Sequence, residues 1–269
     1  MTTTEDSESF QIPIEAAECY ESAFVPAFFA QWAPILCRAA DVTAGQRVLD
    51  VACGTGIVAR TVADLVAPSG TVVGVDLNDA MLTVARRVRP DIDYRHGDVE
   101  ALPLPDGSFD TVLCQMALMF FPDRRHALGE MARVASPAGT VAVLVPGALA
   151  AQAAFAPFVD MAVQHSGSEA RSLLSTYFAC GELAEFTALV ESAGLRVTTA
   201  RTHLGAYRAL SVDAFVATEV ESTPLRDRIS DAVYERIRAD AHDVLAPFTT
   251  SDGAVEAPFD ANLVVARPT

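Results

Sequence analysis

A chain of 269 residues that is 51% hydrophobic is long enough for one large α/β domain or two small ones, and too apolar to be disordered. Its 35 acidic and 19 basic residues leave a net charge of −16 with no basic stripe, which argues against a nucleic-acid partner and fits an acid excess that serves solubility. Five cysteines without a C-x-x-C pair fit neither a disulfide framework nor a zinc site.

The polar, acidic stretch Met1 to Ser9 has no basic-then-apolar leader pattern, and with the cysteine usage it points to a reducing cytoplasm. From Ala16 to Ala40 the pattern is helical and carries Tyr20, Phe24, Phe28, Phe29 and Trp32, with Pro26 and Pro34 breaking it into pieces. Next comes an apolar run ending in Asp50, the small residues Ala52, Cys53, Gly54 and Gly56, and a helical face of Ile57, Val58, Val62, Leu65 and Val66. This is strand, tight turn and helix. Glycine suits such a turn because it accepts positive φ and lets a ligand approach bare peptide groups. A third glycine of the G-x-G-x-x-G fingerprint is missing, since Ala59 stands there. Thr71 to Asp76 is a second β-branched run ending in an acid, placed where a βαβ nucleotide site grips ribose hydroxyls.

Strands are predicted at 46–51, 71–76, 92–95, 109–115 and 140–145, with helices at 57–67, 79–89 and 123–135 and a short one near 99–102. The alternation implies a parallel sheet with right-handed crossovers. Asp79 is the expected cap of the second helix. The charge-free stretch between Arg133 and Asp160 is interrupted by Pro137, Gly139, Pro146, Gly147 and Pro157, too often for a span of roughly 20 residues, so no membrane span is expected. Farther on, Ala150 to Gln164 and a face of Leu183, Phe186, Leu189 and Val190 are helical, and 195–203 and 261–267 are strands. Two more helices are expected in 211–246.

Four motifs stand in order: Leu49 to Gly56, Gly74 to Leu82, Gly97 to Asp110 and Ala127 to Val134. Together they resemble the class I S-adenosylmethionine-dependent methyltransferases, in the branch of the quinone-biosynthesis C-methyltransferases and many small-molecule methyltransferases. One departure is Ala52, where the family often has glycine. The resemblance implies a Rossmann-like α/β fold: a seven-stranded, mostly parallel sheet with helices on both faces, its last strand antiparallel between the fifth and sixth. On that reading the whole chain is one domain. Residues 1–44 form an N-terminal helical cover, 45–145 the cofactor-binding core, 147–180 and 204–258 a helical lid, and 261–267 the last strand.

The cofactor implied is S-adenosylmethionine. By resemblance Ala52 and Gly54 line it, Asp76 holds the ribose, and Leu77 and Met81 flank adenine or are plain core. Asp98 accepts from the adenine amine while Val99 covers the ring, and Gln115 and Tyr20 meet the methionine end. Met116 to Phe121 either lines an apolar acceptor pocket or anchors the next helix. The partner is then a small apolar or aromatic acceptor, methylated on O, N or C; its identity and the oligomeric state are left open. Among possible bases, His96, His126 and His242 lie among charges and read as solvated; His165 is the candidate, against a structural or surface role, with Tyr177 behind it. Two other functions share part of this pattern: a module binding S-adenosylmethionine or a lipid-like ligand without turnover, and a nicotinamide-dependent dehydrogenase.

Overall fold

In a computed structural model describing residues 11–221 and 223–269, the β-branched runs assemble into one sheet. Its strands are β1 (Arg47–Val51), β2 (Thr71–Asp76), β3 (Asp93–His96), β4 (Phe109–Gln115), β5 (Ala135–Pro146), β6 (Leu195–Ala209) and β7 (Val255–Pro268). Their spatial order is β3-β2-β1-β4-β5-β7-β6. The first five are parallel, and β7 runs antiparallel to both β5 and β6. The order reverses between β1 and β4, so their carboxyl ends open a crevice at the switch point where ligands bind in such sheets. Val48, Leu49, Val51, Val112, Leu113 and Cys114 are almost wholly buried, as expected of central strands covered on both faces.

Helices α1 (Ile14–Cys19), α2 (Val25–Ala27) and α3 (Ala33–Ala39) precede the sheet, with a π turn at Tyr20–Phe24 between the first two. Helices α4 (Ile57–Val66), α5 (Asp79–Val88) and α6 (Arg124–Val134) are the crossovers. The cap of α5 is Asn78, not Asp79: Asn78 is extended, and its side chain accepts from the Ala80 and Met81 N–H groups. Asp79 instead occupies the first helical position, where its charge faces the positive end of the helix.

After β5 come α7 (Phe155–Ser166), α8 (Glu169–Ser175) and α9 (Leu183–Ser192); between β6 and β7 come α10 (Val212–Glu221), α11 (Leu225–Arg228) and α12 (Asp231–Leu245). The predicted pair of helices in 211–246 is therefore three, and β6 and β7 are longer than their predicted cores. They continue as a two-stranded antiparallel ribbon from Leu204 opposite Asp260 to Ala209 opposite Val255. Alternation explains it: Val255, Ala257 and Phe259 point inward while Glu256 and Pro258 are exposed.

Phe155, Phe178, Tyr207 and Phe215 pack with Phe28 and Phe259 into an aromatic cluster joining N-terminal segment, ribbon and helices. Amide side chains fasten the same join. Gln31 both donates to and accepts from the Ala206 backbone, Gln152 does the same at Asp260, and Asn262 donates to the Gly181 carbonyl. Among the described residues no single helix is long and apolar enough to cross a membrane.

Candidate functional site

The turn after β1 is built from left-handed backbone and one buried acid. Ala52, Gly54 and Gly56 all have positive φ, at 53°, 53° and 87°. Ala52 thus adopts at some strain a conformation that glycine reaches freely. Asp50, 1% exposed, accepts the Ala59 N–H at 2.9 Å and so fixes the first turn of α4. Burial pushes its pKa up to about 8, with the Asp76 charge adding to the rise and the Ala59 N–H and Arg60 opposing it.

Such an acid is protonated in the fold where the unfolded chain would ionise it. The stability it contributes is full below about pH 4 and drains away as pH climbs toward about 8. Asp50→Asn keeps the acceptor oxygen without the charge. Its Tm is expected to exceed that of the wild type by a margin that widens from about pH 5 to pH 8. A margin independent of pH in calorimetric scans would show that Asp50 ionises normally.

At the tip of β2, Asp76 takes the Gly54 N–H at 2.7 Å on one carboxylate oxygen and the Asn78 N–H at 2.8 Å on the other. It thereby ties the glycine turn to the start of α5. Burial raises its pKa, against the N–H groups of Asn78, Gly54 and Leu77 and the nearby His96, which favour the ionised form. A carboxylate offers about four acceptor positions. Each Asp76 oxygen therefore retains capacity for a hydroxyl. Leu77 is exposed, and Met81 and Val99 are half-buried, forming apolar surface at the tips of β2 and β3. Asp98 caps the turn Val99–Ala101 through the Glu100 N–H, using one oxygen.

The π turn lies over this cradle. Tyr20 Cε1 would be 3.9 Å from a Cβ on Gly54, and the Tyr20 ring packs on Phe29. Glu21 bolts it down, accepting from Thr55 Oγ1 at 2.6 Å and pairing with Arg60 at 2.7 Å. Gln11 adds a bond to the Leu77 carbonyl. At the end of β4, Gln115 donates to the Phe29 carbonyl, while its Oε1 is buried without a partner. Met116 follows with φ of 54°, a strained turn at the sheet edge. Diol acceptor, apolar slot, glycine turn and unpartnered amide oxygen fit S-adenosylmethionine.

The apolar run after β4 divides. Leu118 and Met119 are buried anchors, whereas Phe120 is 45% exposed and meets the Tyr177 ring at 5.9 Å. Tyr177 has a buried hydroxyl without a partner. His165 is not brought to this place: it sits on α7 with its Nε2 2.7 Å from Asp240 on α12, an ion-pairing position that fits the structural alternative. Sequence reasoning missed Glu219 on α10, a half-buried acid whose carboxyl burial pushes up to about 7, opposed by the Tyr207 hydroxyl. Its signal was there, because 219 shares a helical face with Val212, Phe215 and Val216. Among the described residues no group of His, Cys, Asp and Glu is arranged to hold a metal ion.

Residues 49–143 match the family described as Methyltransferase domain. Over 113 residues the chain is 42% identical to a demethylmenaquinone methyltransferase of Renibacterium salmoninarum, a match covering 42% of this chain and 46% of the relative. A ubiquinone/menaquinone biosynthesis C-methyltransferase of Hahella chejuensis is 40% identical over 119 residues, 42% of this chain and 48% of its own. The chain spans about half the length of the curated relatives it matches. In structure, the YcgJ protein of Bacillus subtilis has a TM-score of 0.57 at 21% identity, with 89% of this chain and 99% of that one covered; the likeness is one of fold. These matches favour S-adenosylmethionine over a nicotinamide cofactor. The reversed β7 agrees, since it departs from the strand order of the dinucleotide fold.

Proposed function

We propose, on the premise that residues 49–143 are a class I methyltransferase domain, that the chain transfers a methyl group from S-adenosylmethionine to a small apolar or aromatic metabolite. The observation that carries this reading is Asp76, held by two backbone N–H groups at the switch point beside the apolar surface of Leu77, Met81 and Val99. Asp76 and Asp98 would hold the nucleoside by ribose and adenine, and Gly54 would let it lie against the backbone. Tyr20 and Gln115 would close on the methionine end. The helices of 147–180 and 204–258 would shape the acceptor side, and the relatives' names point to a quinol-like ring as the acceptor class. The acid excess supports a small molecule rather than nucleic acid as acceptor, and the cysteine usage supports a cytoplasmic setting.

Bound S-adenosylmethionine supplies an electrophilic methyl on sulfonium. The protein's share is to hold the acceptor in line with that methyl and keep water out, and such positioning supplies roughly 7–11 kcal/mol of a barrier. The test has two stages. Calorimetry is expected to show binding of S-adenosylmethionine and none of NAD. Incubation with methyl-labelled S-adenosylmethionine and a metabolite extract is then expected to label a small molecule. NAD binding without S-adenosylmethionine binding would overturn the reading, and cofactor binding with no labelled product from any extract would leave a binding module.

A further inference from the structure

The two edges of the sheet differ in length and in charge. At one, β3 is 4 residues long and its cations are paired close by: Arg95 with Asp93 at 2.6 Å, and Arg89 with Asp91 and Asp64. At the other, β6 runs for 15 residues and carries Arg196, Arg201 and Arg208 with no acid, in a chain whose net charge is −16. Of these, Arg208 pairs with Glu256.

Arg38, Arg196, Arg201, Arg236 and Arg267 have guanidinium groups with no hydrogen bond or ion pair among the described residues. All but Arg236 gather at the β6 edge, and those four are exposed. Arg196 stands opposite Arg267 of β7, Arg201 opposite Leu263 and His203 opposite Ala261. On β7 these residues share a face with Phe259, which packs on Trp32 at the start of α3, so the cations line the α3 side of the sheet. Arg38 belongs to α3, roughly 9 Å along the helix from Trp32. Burial, then Arg201 and Arg38, hold the His203 imidazole below its ordinary pKa. Such a cluster repels itself and is relieved by an anionic partner.

The backbone of the same strand is open. Ala206 turns its N–H and its carbonyl away from β7, and the Gln31 side chain takes both, at 3.0 and 2.6 Å. Gln31 thereby closes the edge at that point. In an antiparallel pair, groups two residues apart point the same way, so the N–H and carbonyl groups of Leu204, Thr202 and Ala200 also point outward. Asp260, opposite Leu204, agrees, since its backbone groups bond to Gly147 and Gln152 on the far side. Upstream of Ala206 these outward groups are exposed and have no partner among the described residues. Leu204 is 71% exposed, an apolar side chain on the face away from the arginines.

We propose that the edge of β6 from Ala200 to Leu204 is a docking site for an extended acidic segment of a partner protein, which adds to the sheet as one further strand. The open N–H and carbonyl groups form the main-chain ladder. Carboxylates on one face of the added strand meet Arg201 and Arg38, and apolar side chains on the other meet Leu204. Charge decides against a second copy of the chain, because arginine-bearing strand would lie against arginine-bearing strand, and like charges directly opposite are destabilising. Anionic lipid headgroups would satisfy the guanidinium groups but leave the in-plane row of backbone groups unused. Charged residues can also guard an edge against aggregation without any partner, a role that the experiment separates.

The probe is a fluorescein-labelled peptide, Val-Glu-Val-Glu-Val-Glu-Val, titrated against the full chain by anisotropy, with amide hydrogen exchange as a second readout. The wild type is expected to bind it and to slow exchange over residues 199–205 about tenfold or more. The same peptide with lysine for glutamate is expected to bind about tenfold more weakly, and so is one N-methylated along its backbone, which keeps the charges but cannot form the ladder. Arg201→Glu is expected to weaken the acidic peptide about tenfold and to strengthen the lysine peptide. Leu204→Pro removes one outward N–H at an exposed edge position and is expected to weaken binding about fivefold. Both variants are expected to melt as the wild type does. If the wild type does not bind the acidic peptide, or binds the N-methylated one equally well, the inference fails. Binding to phosphatidylglycerol vesicles but not to the peptide would show a headgroup surface instead. Self-association of Arg201→Glu without peptide binding by the wild type would show that the arginines only guard the edge.

Discussion

Replacing Asp76 with alanine is expected to weaken binding of S-adenosylhomocysteine by more than tenfold, and by about a hundredfold if both ribose hydroxyls bond to it. Each hydrogen bond to a charged group contributes roughly 1.5–3 kcal/mol, and about 1.4 kcal/mol is a factor of ten. A second loss adds to the first. The same carboxylate receives the N–H groups of Gly54 and Asn78, so alanine unties the glycine turn from the start of α5 and leaves both donors without it. Asp76→Asn separates the two contributions: its single carbonyl oxygen keeps one tie and one possible ribose bond, and its affinity should fall between wild type and alanine. Titration calorimetry reads all three. An affinity unchanged in Asp76→Ala would remove this residue from the ribose site and, with it, the argument for where the nucleoside lies.

The cofactor half of the fold was legible because two periodicities meet there at short range. Val48 to Asp50 and Thr71 to Asp76 are continuous apolar strands ending in acids, and the helices after them show one-sided burial. Local rules suffice for such units, so β2 and β4 match their predicted bounds. The ribbon formed by β6 and β7 was read short for a physical reason. Its outer half alternates Val255, Glu256, Ala257, Pro258 and Phe259, and the proline in that run reads as a break, whereas here Pro258 pairs across from Ala206 at an exposed position. Asn78 was passed over for Asp79 since both residue types cap helices, and only the extended backbone at 78 decides between them.

The segments outside the cofactor half were harder to read because their contacts join residues far apart in the chain. His165 has the chemistry of a base, but α7 and α12 pack so that it faces Asp240. Glu219 carried a readable mark, an acid on the apolar stripe of α10, where burial lifts its carboxyl to about 7. A charge on an apolar face therefore repays attention even where no motif surrounds it.

A residue with no signal of its own, Tyr94, explains why two glycines are needed beneath the cradle. A Cβ on Gly56 would run into its hydroxyl, and one on Gly74 would stand 2.7 Å from its Cδ1. The ring of a β3 residue thus fills the space that the glycines of the β1 turn and of β2 leave open. Gly56→Ala is expected to destabilise the protein by about 3 kcal/mol, combining a left-handed φ of 87° with overpacking against the ring. That is a fall in Tm of roughly 6–12 °C for a chain of this size. The Tyr94 hydroxyl is itself buried without a partner, so Tyr94→Phe alone should be neutral or stabilising by about 1 kcal/mol. Combining the two should recover the part of the loss due to the hydroxyl and leave the part due to φ. Denaturant unfolding of the four proteins closes that cycle. If Gly56→Ala is equally damaging with and without the Tyr94 hydroxyl, then backbone conformation alone requires glycine at 56, and the ring is only its neighbour.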